Sequence, residues 1–134
     1  RGFIPVVHGD VAFDRVRGGT IVSTEDVFGY LVGVLKPSRI YLAGIEDGVL
    51  SAFPGGVVLP RITPANFEAV RAGLGGSAST DVTGGMASKV ASMLAQVQTQ
   101  PGLQIHIFSG ETPGQVLAHL LGDADVAGTV IAGG

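Results

Sequence analysis

The stretch best suited to chemistry is residues 80–89, where a run of small residues leads into a predicted amphipathic helix. Apolar side chains recur there at helical spacing and predict one buried helix face: Met86, Val90, Met93, Leu94 and Val97. Gly84 and Gly85 precede that face, and glycines let a backbone approach a ligand closely. Lys89 lies one turn further on, so its ammonium can reach the helix start, where unpaired N–H groups favour an anion. This spacing has two interpretations: a flexible helix entry with a solvated lysine, which is the usual one, or a phosphate site.

Other polar residues have both a structural and a functional interpretation. Asp26 falls in the first turn of a predicted helix, where a carboxylate complements the helix dipole or, alternatively, holds catalytic lysines in place or helps to carry a metal. The pair Asp47-Gly48 is typical of a tight turn and could equally contact a nucleotide. The sequence has no Gly-x4-Gly-Lys-Ser/Thr phosphate loop and no Gly-x-Ser-x-Gly nucleophile elbow. Its histidines lack metal-ligand spacing and are expected to be structural or exposed: His8, His106 and His119.

Composition excludes several classes of function. The 134 residues include 22 glycines, carry a net charge of −3 and are 46% hydrophobic, as expected for one globular domain. The chain has two lysines, Lys36 and Lys89, too few for a nucleic-acid surface. Without cysteine it has no disulfide and no thiolate metal site. No apolar run is long enough to predict a membrane span, so we expect no membrane partner and a cytoplasmic location.

The elements that must position these residues alternate between strands and helices. Predicted strands cover a buried run at 4–8, a pair around 11–13 and 20–22, then 39–43, 49–50, 57–59, 103–108 and 128–132. Predicted helices begin at a cap formed by Ser23 or Thr24, at Thr63-Pro64, near Gly85 and at Pro113. This order predicts an α/β fold, one domain over 1–134, with a mostly parallel sheet covered by helices. Ligands of such sheets bind at the carboxyl ends of the strands.

The order of the motifs resembles the C-terminal half of the amino acid kinase superfamily, and is most similar to isopentenyl phosphate kinases and fosfomycin-resistance kinases. The matching segments are PVVHGDVAFD at 5–14, IVSTED at 21–26, EDGV at 46–49, DVTGGMASK at 81–89, IFSG at 107–110 and Gly128-Thr129. The resemblance implies a three-layer α/β sandwich, carbamate kinase-like, of which this chain is the nucleotide-binding half. Because the chain opens at Arg1 with an apolar run, we expect that an N-terminal half is missing.

The resemblance also implies an ATP-dependent kinase that phosphorylates isopentenyl phosphate, with Mg²⁺ accompanying ATP. Lys89, Gly84 and Gly85 would contact the ATP phosphates, and Asp47 and Gly48 would line the nucleotide pocket. Asp26 would organise the active-site lysines, and Ser23 and Thr24 would lie near the acceptor phosphate. The chain departs from the family at Gly44-Ile45, where a Thr/Ser-Asp pair is usual.

The resemblance leaves open the identity of the acceptor and whether the chain is catalytic. The acceptor could be fosfomycin or another substrate of the superfamily instead of isopentenyl phosphate. The chain could also be a non-catalytic nucleotide-binding or regulatory domain, or a purely structural one. We expect the partners to be a small-molecule phosphate acceptor, the N-terminal half and, as the family tends to dimerise, a second copy. Alone, the 134 residues are expected to be inactive.

Overall fold

The computed structural model describes residues 2–52, 55–74, 85–123 and 126–134. The chain divides into two compact units, Arg1–Lys36 and Pro37–Gly134, which are described separately. In the described ranges, no helix is both long and apolar enough to cross a membrane.

The first unit is a short hairpin followed by a helix. Strand β1 (Asp10–Ala12) pairs antiparallel with β2 (Thr20–Val22). The connecting turn is closed by Asp14, whose Oδ1 accepts from the N–H groups of Arg17 at 2.7 Å and Val16 at 2.8 Å. The hydrogen bond from Arg17, and to a smaller extent that from Val16, lowers the pKa of the Asp14 carboxyl. Helix α1 (Thr24–Leu35) then ends at Lys36, directly before Pro37, which cannot continue a helix.

The buried strand predicted at 4–8 is wrong in this structure. Residues 2–9 form no strand, and Phe3 and Val6 are 87% and 92% exposed. An apolar run becomes a strand when a neighbouring strand pairs with it and another layer covers it. Within the described part of the chain, no strand pairs with this run. The sequence therefore has the apolar pattern of a strand, but none of the described strands pairs with it.

The second unit is built on a four-stranded sheet. Its strands are β3 (Arg39–Gly44), β4 (Arg61–Ile62), β5 (Gln104–Ser109) and β6 (Thr129–Ala132). They lie in the order β3-β5-β6-β4. The pairs β3·β5 and β4·β6 are parallel and β5·β6 is antiparallel, which confirms the prediction of a mostly parallel sheet. Its helices are α2 (Phe67–Leu74), α3 (Gly85–Thr99) and α4 (Gln115–Leu121).

Helix α3 buries the predicted apolar face and forms much of the core of this unit. Its buried side chains are Val90, Met93, Leu94 and Val97, and Met86 is partly buried. The helix packs on β5 and β6, which contribute Ile105, Ile107 and Ile131 to the core. The helical spacing of the sequence thus identified the face that covers the sheet.

Helix α2 begins later than predicted from Thr63-Pro64. The Oδ1 atom of Asn66 accepts from the Thr63 N–H at 2.8 Å, and the Thr63 carbonyl accepts from Asn66 and Phe67 at 3.2 and 3.1 Å. These bonds fold residues 63–66 into a turn, so the helix starts at Phe67. In this turn the Asn66 side chain satisfies the Thr63 N–H and Phe67 donates to the Thr63 carbonyl four residues back, as at a capped helix start.

Candidate functional site

Strands β3 and β5 end together at one edge of the sheet in the second unit. Gly44, the last residue of β3, is in register with Ser109, the last residue of β5. The Gly44 carbonyl accepts a hydrogen bond of 2.7 Å from the Gly110 N–H just beyond. This edge is where parallel sheets bind ligands, so the loop that follows β3 is a candidate binding segment.

The loop after β3 contains the predicted nucleotide contact Asp47-Gly48. Asp47 is exposed, whereas the next two residues, Gly48 and Val49, are buried. The Val49 N–H donates to the Oγ1 atom of Thr129 at 2.8 Å. Because β6 runs opposite to β5, Thr129 at its start is paired with Ile107, close to where β5 ends. The loop is therefore held at the edge where β3 and β5 terminate.

The C-terminal end of α3 lies at the opposite edge of the sheet, where β3 and β5 begin. At the far end of α3, the Gln100 side-chain amide donates to the Pro37 carbonyl, two residues before β3 begins. A Cβ added at Gly133, just past β6, would lie 3.6 Å from the Val97 carbonyl oxygen. Fifteen helical residues span about 22 Å and a six-residue strand about 20 Å. Over these lengths, a helix that runs antiparallel to β5 starts near the level at which β5 ends.

The predicted phosphate site at the start of α3 is described only in part. Helix α3 begins at Gly85, which has a positive φ of 69°, a conformation that favours glycine. Lys89 lies in the second turn, is partly exposed and takes part in interactions with its surroundings. Gly84 and the small-residue loop before it lie outside the described residues. The described part combines a helix N-terminus with a lysine one turn later.

In the first unit, Ser23 and Asp26 form a reciprocal cap on α1. The Asp26 N–H donates to Ser23 Oγ at 3.1 Å, and Asp26 Oδ2 accepts from the Ser23 N–H at 3.2 Å and hydroxyl at 2.7 Å. This is the capping box that satisfies backbone donors at a helix start. The exposed Asp26 carboxylate also complements the positive end of the helix dipole. The roles predicted from the resemblance, Asp26 as organiser of lysines and Ser23 as acceptor contact, stay predictions.

Thr24 makes a contact that the sequence did not reveal. Its Oγ1 accepts from the Gly9 N–H at 2.9 Å, which fixes the segment before β1 against the start of α1. A Cβ at Gly9 would lie 2.6 Å from both the Thr24 nitrogen and the Val22 carbonyl oxygen. Nothing in the sequence indicates this close approach, because it joins positions 15 residues apart.

His106 and His119 lie close together in the second unit. The His119 ring stacks on Phe108 with centroids 3.7 Å apart, and its centroid is 5.7 Å from that of His106. Burial lowers the pKa of both histidines; the charges of His119 and Arg39 lower that of His106 further. His119 is 6% exposed and its Nε2 donates to the Ala127 carbonyl at 3.2 Å, so its role here is structural.

The acidic and histidine side chains of the described residues do not gather into a metal centre. Among those residues, no group of three or more His, Asp or Glu side chains is placed to hold a metal ion. A divalent cation that accompanies a nucleotide is commonly held by the nucleotide phosphates and few protein ligands.

Comparison with known proteins identifies the family. The model of the amino acid kinase family matches residues 1–109. The isopentenyl phosphate kinase of Haloferax volcanii is 42% identical over 125 residues, covering 87% of this chain and 47% of that protein. The isopentenyl phosphate kinase of Methanocaldococcus jannaschii is 34% identical over 125 residues, covering 93% of this chain and 45% of that protein. The chain belongs to the amino acid kinase family.

The fold agrees with this assignment. A crystal structure of an isopentenyl phosphate kinase substrate complex superimposes with a TM-score of 0.65 at 22% identity, over 97% of this chain and 48% of that one. This confirms the predicted α/β fold of the amino acid kinase type. The sequence identities given above confirm the similarity to isopentenyl phosphate kinases. The chain spans about half the length of the curated relatives it matches.

Proposed function

We propose that this chain is the nucleotide-binding half of an ATP-dependent kinase that phosphorylates isopentenyl phosphate to isopentenyl diphosphate. The observation that supports the substrate is the 42% identity to the Haloferax volcanii isopentenyl phosphate kinase over most of this chain. A homodimer, from the family resemblance, and a cytoplasmic location, from composition, are part of the proposal.

The second unit would hold ATP at the edge where β3 and β5 end. The N–H groups at the start of α3, with Gly84 and Gly85, would face the phosphates, and the Lys89 ammonium would neutralise part of their charge. Asp47 and Gly48 would line the pocket of the nucleotide. The donors fit a polyphosphate, because a 15-residue helix starts at a glycine and has a lysine one turn in. Mg²⁺ would be held mostly by the ATP phosphates and would neutralise charge during transfer.

Phosphoryl transfer requires positioning and charge stabilisation from the protein more than covalent chemistry. This chain supplies Lys89 for that purpose, and Asp26 would orient further lysines contributed by the N-terminal half. Ser23 and Thr24 would contribute to the acceptor phosphate site. The carboxylates of Glu25 and Asp26 already complement the start of α1, so an anion there would depend on cations from that other half.

The test of this proposal is transfer of phosphate from ATP to isopentenyl phosphate by the complete protein, followed by ³¹P NMR. Lys89→Gln is expected to lower kcat by about 10²–10³, the usual cost of one group that stabilises transition-state charge. Lys36→Gln makes the same change of charge at the exposed end of α1 and is the matched control. Equal activity of the two variants would refute the role of Lys89.

A non-catalytic nucleotide-binding domain is the second candidate. The departure at Gly44-Ile45 favours it, because Ile45 is 73% exposed at the position where the family usually has a polar pair. Binding of ATP by the complete protein, without transfer to isopentenyl phosphate or fosfomycin, would support this candidate over the kinase.

A further inference from the structure

The loop proposed to contact the nucleotide has a sharp boundary between exposed and buried residues. Ile45, Glu46 and Asp47 are exposed, and directly after them Gly48 is buried and Val49 is 0% exposed. An exposed side chain at such a boundary takes its position from the buried backbone beside it. The question is what fixes that backbone.

The Thr129 hydroxyl joins this backbone to two other segments. Thr129 is 1% exposed, and its Oγ1 accepts from the Val49 N–H at 2.8 Å and donates to the Leu59 carbonyl at 2.7 Å. The Leu59 N–H donates back to the Val49 carbonyl at 2.8 Å. One hydroxyl therefore ties together β6, the residues after Asp47 and the segment around Leu59. Its proton and an acceptor lone pair are both in use, so a side chain without a hydroxyl cannot replace it.

The loop also approaches Thr129 as closely as sterics permit. A Cβ added at Gly48 would lie 2.7 Å from Thr129 Oγ1 and 3.2 Å from the Thr129 nitrogen. Only a glycine fits at that separation. The contact therefore depends on the Thr129 hydroxyl and on the absence of a side chain at Gly48.

Thr129 is itself held firmly. It is the first residue of β6 and is paired with Ile107 in β5. Gly128 before it is packed so that a Cβ would meet the Ile107 carbonyl oxygen at 2.7 Å. Ala127 is fixed by the hydrogen bond from His119. Because Thr129 is fixed in the sheet, its hydroxyl can hold the backbone of the loop that bonds to it.

We infer that Thr129 is a positioning residue that holds the Asp47–Gly48 loop in its nucleotide-binding conformation without touching the nucleotide. This inference rests on the proposed function, since it assigns the loop to nucleotide contact. A purely structural Thr129 would add stability and leave the affinity of the folded protein unchanged. Measuring affinity and stability on the same variants therefore distinguishes a positioning role from a purely structural one.

The experiment compares Thr129→Val with Thr129→Ser in the complete protein, well below the melting temperature of each. Binding of a non-hydrolysable ATP analogue with Mg²⁺ is measured by calorimetry. Thr129→Val is expected to raise Kd by about tenfold, the equivalent of one lost hydrogen bond, and Thr129→Ser to restore it to within about threefold of the wild-type value. Kd values for both variants that equal the wild-type value would overturn the inference.

Hydrogen exchange separates failure of this inference from failure of the proposed function. In Thr129→Val the Val49 amide is expected to exchange faster, whereas the Gln104 amide, which donates to Ser38 at 3.0 Å, is unchanged. A wild-type protein that does not bind the analogue would refute the proposed function, and the role of Thr129 in nucleotide binding with it. Unchanged exchange at Val49 would refute the Thr129 contact itself.

Discussion

Replacing Gly48 by alanine tests how tightly the edge loop is packed. The new Cβ would lie 2.7 Å from Thr129 Oγ1 and 2.8 Å from Val58 Cγ1, against an ordinary contact of 3.4–4 Å. Gly48 also has a φ of 156°, which side chains rarely adopt. Overpacking of this kind costs about 1–3 kcal/mol and the backbone conformation adds about 1 kcal/mol or more. We expect Gly48→Ala to destabilise the protein by about 3 kcal/mol.

The assay is thermal unfolding of the complete protein, followed by circular dichroism. For a protein of about 150–250 residues, 3 kcal/mol corresponds to a decrease in Tm of roughly 6–12 °C. Gly44→Ala is the matched control at the same edge, because a Cβ there meets nothing within 4 Å. Its Tm is expected to change by less than about 2 °C.

A second substitution shows whether the contact with Val58 is responsible. Val58→Ala removes the methyl group that would lie 2.8 Å from the new Cβ. The double variant Gly48→Ala/Val58→Ala should therefore lose less stability than the sum of the two single variants, by about 1 kcal/mol. Additive losses, or a Gly48→Ala protein as stable as Gly44→Ala, would refute the close packing described for this loop.

Two further predictions concern other parts of the chain. Gly9→Ala should destabilise by about 1–3 kcal/mol in urea denaturation, because the Cβ would meet backbone atoms of Thr24 and Val22 at 2.6 Å, and these cannot rotate away. Burial lowers the pKa of His106 and His119 from 6.5, so the unfolded state binds protons at a higher pH than the folded state. Stability should therefore be full above pH 6.5 and decrease as the pH falls below it, measured as urea midpoints at pH 7.5 and 5.5.

Each of these predictions has a control within the same chain. Gly33→Ala in α1 adds a Cβ that meets nothing within 4 Å, and should stabilise the helix by about 0.5–1 kcal/mol. If Gly9→Ala behaves like Gly33→Ala, the contact with Thr24 is not formed. For the pH dependence the matched variant is His106→Gln, which should flatten it; a variant that keeps the full dependence would contradict the assignment.

Features that depend on neighbouring residues were predictable from the sequence. The stripe from Val90 to Val97 identified the buried face of α3, and a cap of α1 was predicted at Ser23 or Thr24, of which Ser23 is the cap, because both features follow from spacing within one helix. The run at 4–8 was predicted wrongly, since a strand needs a partner that local pattern does not reveal. The phosphate site stays a prediction from the combination of glycines, helix start and lysine, and Gly84 lies outside the described residues.

Features that depend on distant residues were not predictable. The hydrogen bond between Val49 and Thr129 joins positions 80 residues apart, and nothing in the type of either residue indicates it. The direction of β6 was equally hidden, because an apolar strand reads the same whether it pairs parallel or antiparallel. That direction places Thr129 at the edge where β3 and β5 end.

The strand order has a consequence for how the protein folds during synthesis. Strand β4 is in register with β6, and the two are separated by about 70 residues of chain. At about 5–20 residues per second, a ribosome needs roughly 4–14 s to synthesise that stretch. During this interval β4 lacks the neighbour with which it pairs, and Ile62, fully buried in the finished fold, is exposed. The sheet therefore closes only after this interval, during which the nascent chain is open to chaperones or aggregation.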